Sequence, residues 1–214
     1  MITVTDAVRS TLLEDDIGLQ AAQAGVLNLS AYAERILPAV EQATHKDVKK
    51  GTVVVALARI TEQVSGLPSL RPDVILDDLS IKFPLCSATF RKTALTRQKL
   101  ASLHQAVPIS ENAFFTLTQS ISEITIIAPQ SLFEEIFKHF EEPPVAIYKD
   151  RVAITVRFAE AYLAIPNILY TLQATLAVHR INFTEVVSTY TEFSFIIAKQ
   201  DLETASLAMQ KLLR

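Results

Sequence analysis

Glycine is scarce in this sequence, and all of it lies near the start of the chain. The four glycines, Gly18, Gly25, Gly51 and Gly66, precede residue 67. A loop that cradles a phosphate group needs backbone amides that approach the ligand closely, and glycine supplies that freedom. The sequence after residue 66 therefore excludes the glycine-loop class of nucleotide site.

Cysteine and long apolar runs are scarce as well. The single cysteine, Cys86, excludes a disulfide within the chain and suits a reducing compartment. No apolar run reaches the roughly 18 residues that a membrane span requires. The first residues lack the basic and apolar regions of a secretion signal. We therefore expect a cytoplasmic protein with no membrane contact.

The sequence also has no large excess of acidic or basic residues, because the net charge is only −3. Residues 1–66 carry six basic and eight acidic side chains, and residues 67–214 carry fourteen and fifteen. Neither region would bind nucleic acid by charge alone. The histidines have no metal-ligand spacing, and no catalytic constellation is present. We therefore expect no enzyme activity, no metal and no cofactor.

An internal repeat is the clearest pattern that the sequence does contain. Residues 145–214 resemble residues 74–140 in the order of their alternating and helical segments. Ile81-Lys82-Phe83 aligns with Val156-Arg157-Phe158 at a separation of 75 positions. The repeat favours an internal duplication.

The separation between the copies changes along the chain. It falls from 75 to 69 positions where Glu123 aligns with Glu192. This decrease predicts six extra residues in the first copy, in the loop-like segment 107–112. The alignment also predicts two cross-strand pairs on the sheet face without helices, Lys82 with Glu123 and Arg157 with Glu192.

Each copy is predicted to contain strand, strand, helix, strand, strand and helix. The acid-containing turns Asp77-Asp78 and Lys149-Asp150 separate an apolar run from an alternating run, which is typical of a hairpin. Four antiparallel strands with two helices make a ferredoxin-like unit. The sequence predicts an α+β fold with tandem ββαββα units at residues 67–142 and 143–214.

Residues 1–66 predict a separate helical bundle, followed by a linker that contains Gly66 and Pro72. The segments 30–36 and 49–63 resemble the two helices of a helix-turn-helix. In that interpretation, the side chains that would contact phosphate are Lys46, Lys49, Lys50 and Arg59. DNA binding is not favoured, because the bundle has a net charge of −2. The alternative is an acidic bundle with a solvated basic loop.

Three segments of the second copy carry a resemblance to a known family. They are residues 166–183, 192–199 and 201–209, and together they resemble an ACT domain of the aspartate-kinase kind. The first copy shares the resemblance only through the repeat. The resemblance implies an ACT-like fold, small effectors that are often amino acids, and a homodimer joined through sheet edges.

The resemblance also implies where an effector would bind, at the turn between the first long strand and its helix. The family usually has a Pro-Gly pair there. The second copy has Pro166-Asn167, followed by Ile168 and Leu169, and asparagine tolerates a positive φ. The first copy has Arg91-Lys92, which would suit an anionic ligand. Two hypotheses stay open: effector binding is retained, or it is lost and the modules serve assembly.

These observations favour a non-catalytic regulatory or sensor protein with tandem ACT-like modules for effector binding or assembly. Two alternatives remain. One is a transcription regulator that binds DNA through the helical bundle. The other is a regulatory subunit of an enzyme of amino-acid biosynthesis.

Overall fold

A computed structural model describes residues 2–213. The described chain divides into two compact units, one up to Pro72 and one from Asp73. The boundary lies at the end of the segment whose glycine and prolines predicted a linker. The further division of the second unit at residue 142 stays a prediction.

The first unit is helical, and its helices begin where short polar side chains can cap them. The helices are α1 (Val4–Glu14), α2 (Asp16–Gln23), α3 (Leu29–Thr44) and α4 (Lys50–Val64). The side chains of Thr3, Asp15 and Asn28 accept hydrogen bonds from backbone amides of the first turn of α1, α2 and α3. Such caps satisfy amides that have no partner within the helix.

Two helices of the bundle approach each other closely at Tyr32 and Asp15. The Tyr32 hydroxyl donates to an Asp15 oxygen at 2.9 Å, and an Arg35 nitrogen lies 3.1 Å from the same carboxylate. Burial, together with the bond to Asp15, raises the pKa of Tyr32 above its usual value. A Cβ atom at Gly18 would lie 2.5 Å from the Tyr32 hydroxyl, so a larger residue there would force the Tyr32 ring to move.

The second unit repeats one order of elements: strand, helix, strand, strand, helix. The first half contains β1 (Leu76–Arg91), α5 (Ala94–Ala106), β2 (Thr116–Gln119), β3 (Glu123–Pro129) and α6 (Phe133–Phe140). The second half contains β4 (Ala146–Phe158), α7 (Ile168–Ala177), β5 (Phe183–Ser188), β6 (Glu192–Ala198) and α8 (Leu202–Gln210). The α+β class is confirmed. The connection from α5 to β2 is longer than that from α7 to β5, as the segment 107–112 predicted.

The predicted order ββαββα is wrong, because neither acidic turn forms a hairpin. β1 runs without interruption through Asp77-Asp78, and β4 runs through Lys149-Asp150. Asp150 has a φ of 51°, and the pairing register of β1 and β4 shifts in this region, which indicates a bulge. Each long strand pairs with the long strand of the other half as well as with a strand of its own half, and it does not fold back on itself.

The strands of the described residues form one antiparallel sheet in the order β2-β3-β1-β4-β6-β5. Residues 85–91 of β1 pair with β3, whereas residues 76–82 pair with β4. The leading part of β1 therefore lies beside β4 as a fourth strand of the second half. The first residues of β4 take the same place in the first half, opposite residues 87–89. We call these two segments, residues 76–82 of β1 and residues 146–148 of β4, the shared strands.

Each half has its own apolar core between the sheet and its helices, and the shared strands contribute to both. The first core includes Phe90 and Phe140, whose rings stack with centroids 4.3 Å apart. Val74 and Leu76, which precede the first half's helices, are buried in the second core beside Val156. The two halves therefore cannot be separated without exposing apolar surface.

The opposite face of the sheet carries a smaller apolar cluster. Successive side chains of a strand point to opposite faces, so Leu85, Ile127, Ala153 and Ile196 lie away from the helices. Hydroxyl pairs flank this cluster, with Thr89 and Thr125 at 2.9 Å and Thr155 and Ser194 at 2.7 Å. Within residues 2–213, no helix combines the length and apolarity needed to cross a membrane.

Candidate functional site

The turn after β1 is fixed by a capping box at the start of α5. Thr93 accepts a hydrogen bond from the Thr96 amide at 3.0 Å, and the Thr96 hydroxyl accepts one from the Thr93 amide at 2.8 Å. The Thr93 hydroxyl also donates to Glu142 at 3.0 Å. These hydrogen bonds hold the predicted Arg91-Lys92 turn in place.

The β2–β3 hairpin lies against this turn and is held by Lys92. The Lys92 amide donates to the Ser122 carbonyl at 2.8 Å, and its Nζ donates to the Ser120 carbonyl at 2.9 Å. This hydrogen bond occupies one of the three donors of the Lys92 ammonium group. Both Arg91 and Lys92 therefore keep charged donors at this turn.

A cavity of about 630 Å³ opens beside the same turn. Its lining residues are Arg91, Lys92, Thr93, Ile121, Ser122, Glu123 and Val145. Arg91 and Glu123 are direct partners in the β1–β3 register, and both are exposed. Within the described residues, their side chains form no ion pair with each other or with other groups.

This arrangement places the cations Arg91 and Lys92, the anion Glu123 and apolar surface around a single space. A guanidinium group binds a carboxylate through two parallel hydrogen bonds, and a carboxylate accepts hydrogen bonds from an ammonium group. Ile121 is 97% exposed and Val145 is 49% exposed, so both offer apolar contact. The cavity could therefore hold a small zwitterion with an apolar side chain.

The corresponding turn of the second half has a different construction. A 3-10 turn, Glu160–Ala164, separates β4 from the exposed Pro166 and Asn167. Asn167 has a φ of 71°, a left-handed conformation that asparagine tolerates better than most residues. Ile168 is buried in the core and Leu169 packs against it, so only their backbone could meet a ligand.

The two predicted turns are not brought together. β1 and β4 are antiparallel, so the turns that follow them lie at opposite ends of the sheet. In the second half, Arg157 and Glu192 are direct partners, as predicted. Arg157 also lies 3.8 Å from Asp78 of β1, so this guanidinium has a partner that Arg91 lacks.

Glu123 lines the cavity but is not among the residues predicted for the site. The predicted pair of Lys82 with Glu123 is wrong, because Lys82 lies opposite Ala153 and Glu123 lies opposite Arg91. The alignment had matched Lys82 with Arg157. Matching Arg91 with Arg157 would have placed both arginines opposite the equivalent glutamates, Glu123 and Glu192.

The predicted phosphate contacts lie around the start of α4 and along it. Lys46, Lys49 and Arg59 are exposed, and Lys49 is the N-cap residue of α4. The Nζ of Lys50 lies 2.7 Å from Glu34, which neutralises its charge. The helix-turn-helix assignment stays a prediction. Among residues 2–213, no three potential metal ligands lie together.

A half-buried carboxylate, that of Glu185, lies on the sheet face opposite the helices. Burial raises the pKa of Glu185 in β5 above its usual 4.5, and the nearby negative charge of Glu123 raises it further. A raised folded-state pKa gives stability that is fully present below the unfolded value and is lost as pH rises through the folded value.

We expect Glu185→Gln to remove this pH-dependent loss. The variant should gain stability relative to the unsubstituted protein at about pH 7 and gain nothing at about pH 4, because the unsubstituted carboxyl is protonated there. Urea unfolding at both pH values measures the difference. Glu111→Gln, at an exposed position, is the control. An equal effect of Glu185→Gln at the two pH values would contradict the account.

No protein-family model matches the sequence, and no curated protein is significantly similar to it. Solved structures do share the fold. The ligand-free regulatory subunit of aspartate kinase from Thermus thermophilus is 10% identical with a TM-score of 0.53, and the match covers 67% of this chain and 99% of that one. A structure of aspartokinase alpha and beta subunits is 13% identical with a TM-score of 0.52, covering 64% and 97%.

The aspartate kinase of Clostridium acetobutylicum also matches, at 10% identity and a TM-score of 0.52. There the match covers 65% of this chain but only 35% of the kinase. At such identities the likeness shows the fold alone. The shared fold is the one seen in the isolated regulatory subunit of aspartate kinase, and part of a whole aspartate kinase has it as well.

Proposed function

We propose that residues 73–214 are a non-catalytic regulatory module of two tandem ACT-like units, and that the first unit binds a small zwitterionic effector. An amino acid is the ligand class that best fits the cavity. The fold of isolated aspartate kinase regulatory subunits supports the regulatory role. The enzyme that such a module would regulate is one of amino-acid biosynthesis.

One observation carries the effector proposal. Arg91 and Glu123 face each other across two paired strands at a cavity, yet they form no ion pair in the described structure. Two opposite charges at this position would each be satisfied by the complementary group of a zwitterion. Ile121 and Val145 would then contact its side chain.

We expect at least one common amino acid to raise the melting temperature of the protein, because a ligand that binds only the folded state stabilises it. Isothermal titration should then show that Arg91→Ala and Glu123→Gln each weaken binding about tenfold or more, since each removes a charge-assisted hydrogen bond.

Lys82→Ala is the matched control, because Lys82 is an exposed cation of the same strand and lies outside the cavity lining. Its affinity should equal that of the unsubstituted protein. If no amino acid stabilises the protein, the effector proposal fails and the assembly role is favoured.

Assembly through sheet edges remains the proposed route to a homodimer. β2 and β5 are the outer strands of the described sheet, and their unpaired edges can each accept a strand of another copy. Effector or partner binding would then change the placement of the helical unit.

DNA binding by the helical unit is kept as a second hypothesis. The exposed Lys46, Lys49 and Arg59 support it, whereas the Lys50–Glu34 pair counts against it. A gel shift of duplex DNA that weakens with salt and is abolished by Lys49→Glu with Lys50→Glu would support this hypothesis. Absence of binding at low salt would remove it.

A further inference from the structure

One helix of the second unit has an outer face that no described residue covers. The inner face of α8 buries Ala205, Ala208 and Met209 in or beside the second core. On its outer side, Glu203, Leu207 and Lys211 follow one another at intervals of four residues, and all three are exposed. Residues at this spacing form one line along a helix. Lys211 keeps helical dihedral angles, so it extends that line.

Leu207 is the centre of this α8 face and stands between two hollows. It is 56% exposed and is the apolar member of the line formed with Glu203 and Lys211. One hollow of about 520 Å³ includes Ile81 and Leu202, and another of about 520 Å³ includes His179 and Ala208. Both are bordered by Leu207, so a similar apolar side chain could enter beside it.

The charges on either side of Leu207 have opposite signs. Glu203 lies one turn before it and Lys211 one turn after it. Among residues 2–213, neither charged group forms an ion pair. A second α8 that lies antiparallel across Leu207 would place each Glu203 opposite the Lys211 of the other copy. A parallel arrangement would place like charges together.

We propose that the α8 face is a contact between two copies of this chain, with the helices antiparallel and Leu207 at the twofold axis. An interface of this kind must be complementary to itself, because the same patch is used on both copies. The order acidic, apolar, basic along one line meets that requirement. Ile81 lies beside Leu207 and is 40% exposed, which extends the apolar area. The proposal is independent of effector binding and of pairing through sheet edges.

Charge reversal on the full chain tests the proposal by sedimentation equilibrium. Glu203→Lys and Lys211→Glu should each raise the dissociation constant of the α8 contact about tenfold, because each change creates two like-charge pairs in the dimer. The double variant carries both reversals and should associate within a few-fold of the unsubstituted protein. Leu207→Glu should abolish the contact, since it places two carboxylates at the axis.

Glu135→Lys on α6 is the control, because it reverses an exposed charge on a helix of the other half and should leave association unchanged. Circular dichroism of each variant verifies that the fold is intact. A chain that remains monomeric at all concentrations would overturn the proposal. So would association that none of the α8 changes alters, which would indicate the strand edges. Failure of the double variant to recover would overturn the antiparallel pairing.

Discussion

Residues 143–214 expressed alone should fail to form a stable fold, although they contain the sequence that most resembles an ACT domain. In the intact structure, β4 pairs with residues 76–82 of β1 on the side away from β6. The second core also buries Val74 and Leu76, which the fragment lacks. Exposure of this apolar surface and loss of the strand pairing should leave the fragment without a cooperative transition.

Circular dichroism and urea unfolding of two fragments measure this dependence. Residues 73–214 contain both shared strands and form a compact unit, so this longer fragment should unfold cooperatively. A monomeric 143–214 fragment with a cooperative transition of its own would show that the halves are independent.

The substitution Leu76→Ala should lower the free energy of unfolding by about 2–5 kcal/mol, the usual cost of removing a fully buried leucine side chain. Leu76 is 0% exposed and packs in the core of the second half, although it belongs to the first strand. Its amide also donates to the Leu212 carbonyl at 2.8 Å, beyond the end of α8. Urea unfolding of the full chain gives the difference.

The neighbouring residue supplies a matched control. Ile75 is 44% exposed, so Ile75→Ala should change the free energy of unfolding by about 0.5 kcal/mol or less. If the two substitutions had equal effects, Leu76 would not be a core residue of the second half, and the shared strands would be in doubt.

Local patterns predicted much of the second unit. The strands β3 and β6, the helices of each half and the amphipathic faces of α6 and α8 follow from periodicity. Asparagine also tolerates the left-handed conformation that Asn167 adopts. These features depend on residues close in sequence, so the sequence alone is sufficient to indicate them.

The hairpins were predicted wrongly because the decisive partner is distant in sequence. Asp78 is compatible with a turn, and it is equally compatible with an exposed strand position opposite Arg157. The pairing of β1 with β4 joins residues about 70 positions apart, and no local pattern reports it. Once that pairing exists, Asp77 and Asp78 have no reason to form a turn.

The candidate site was only partly predictable for the same reason. The sequence indicated Arg91 and Lys92 as the basic pair of a turn, but it could not show that Lys92 would donate to Ser120. The role of Glu123 depends on the register between β1 and β3, which assigns it to Arg91 rather than Lys82. Strand register is set by the packing of whole faces, so an alignment that slips along one strand changes every pair.

Hydrogen exchange of the backbone amides in residues 76–82 tests the shared strands most directly. These residues pair with β4 in the described structure, so alternate amides point towards it and should exchange as slowly as the amides of residues 153–157. Fast exchange throughout residues 76–82, while β4 and β6 remain protected, would contradict the shared strands and with them the single sheet on which the proposed module depends.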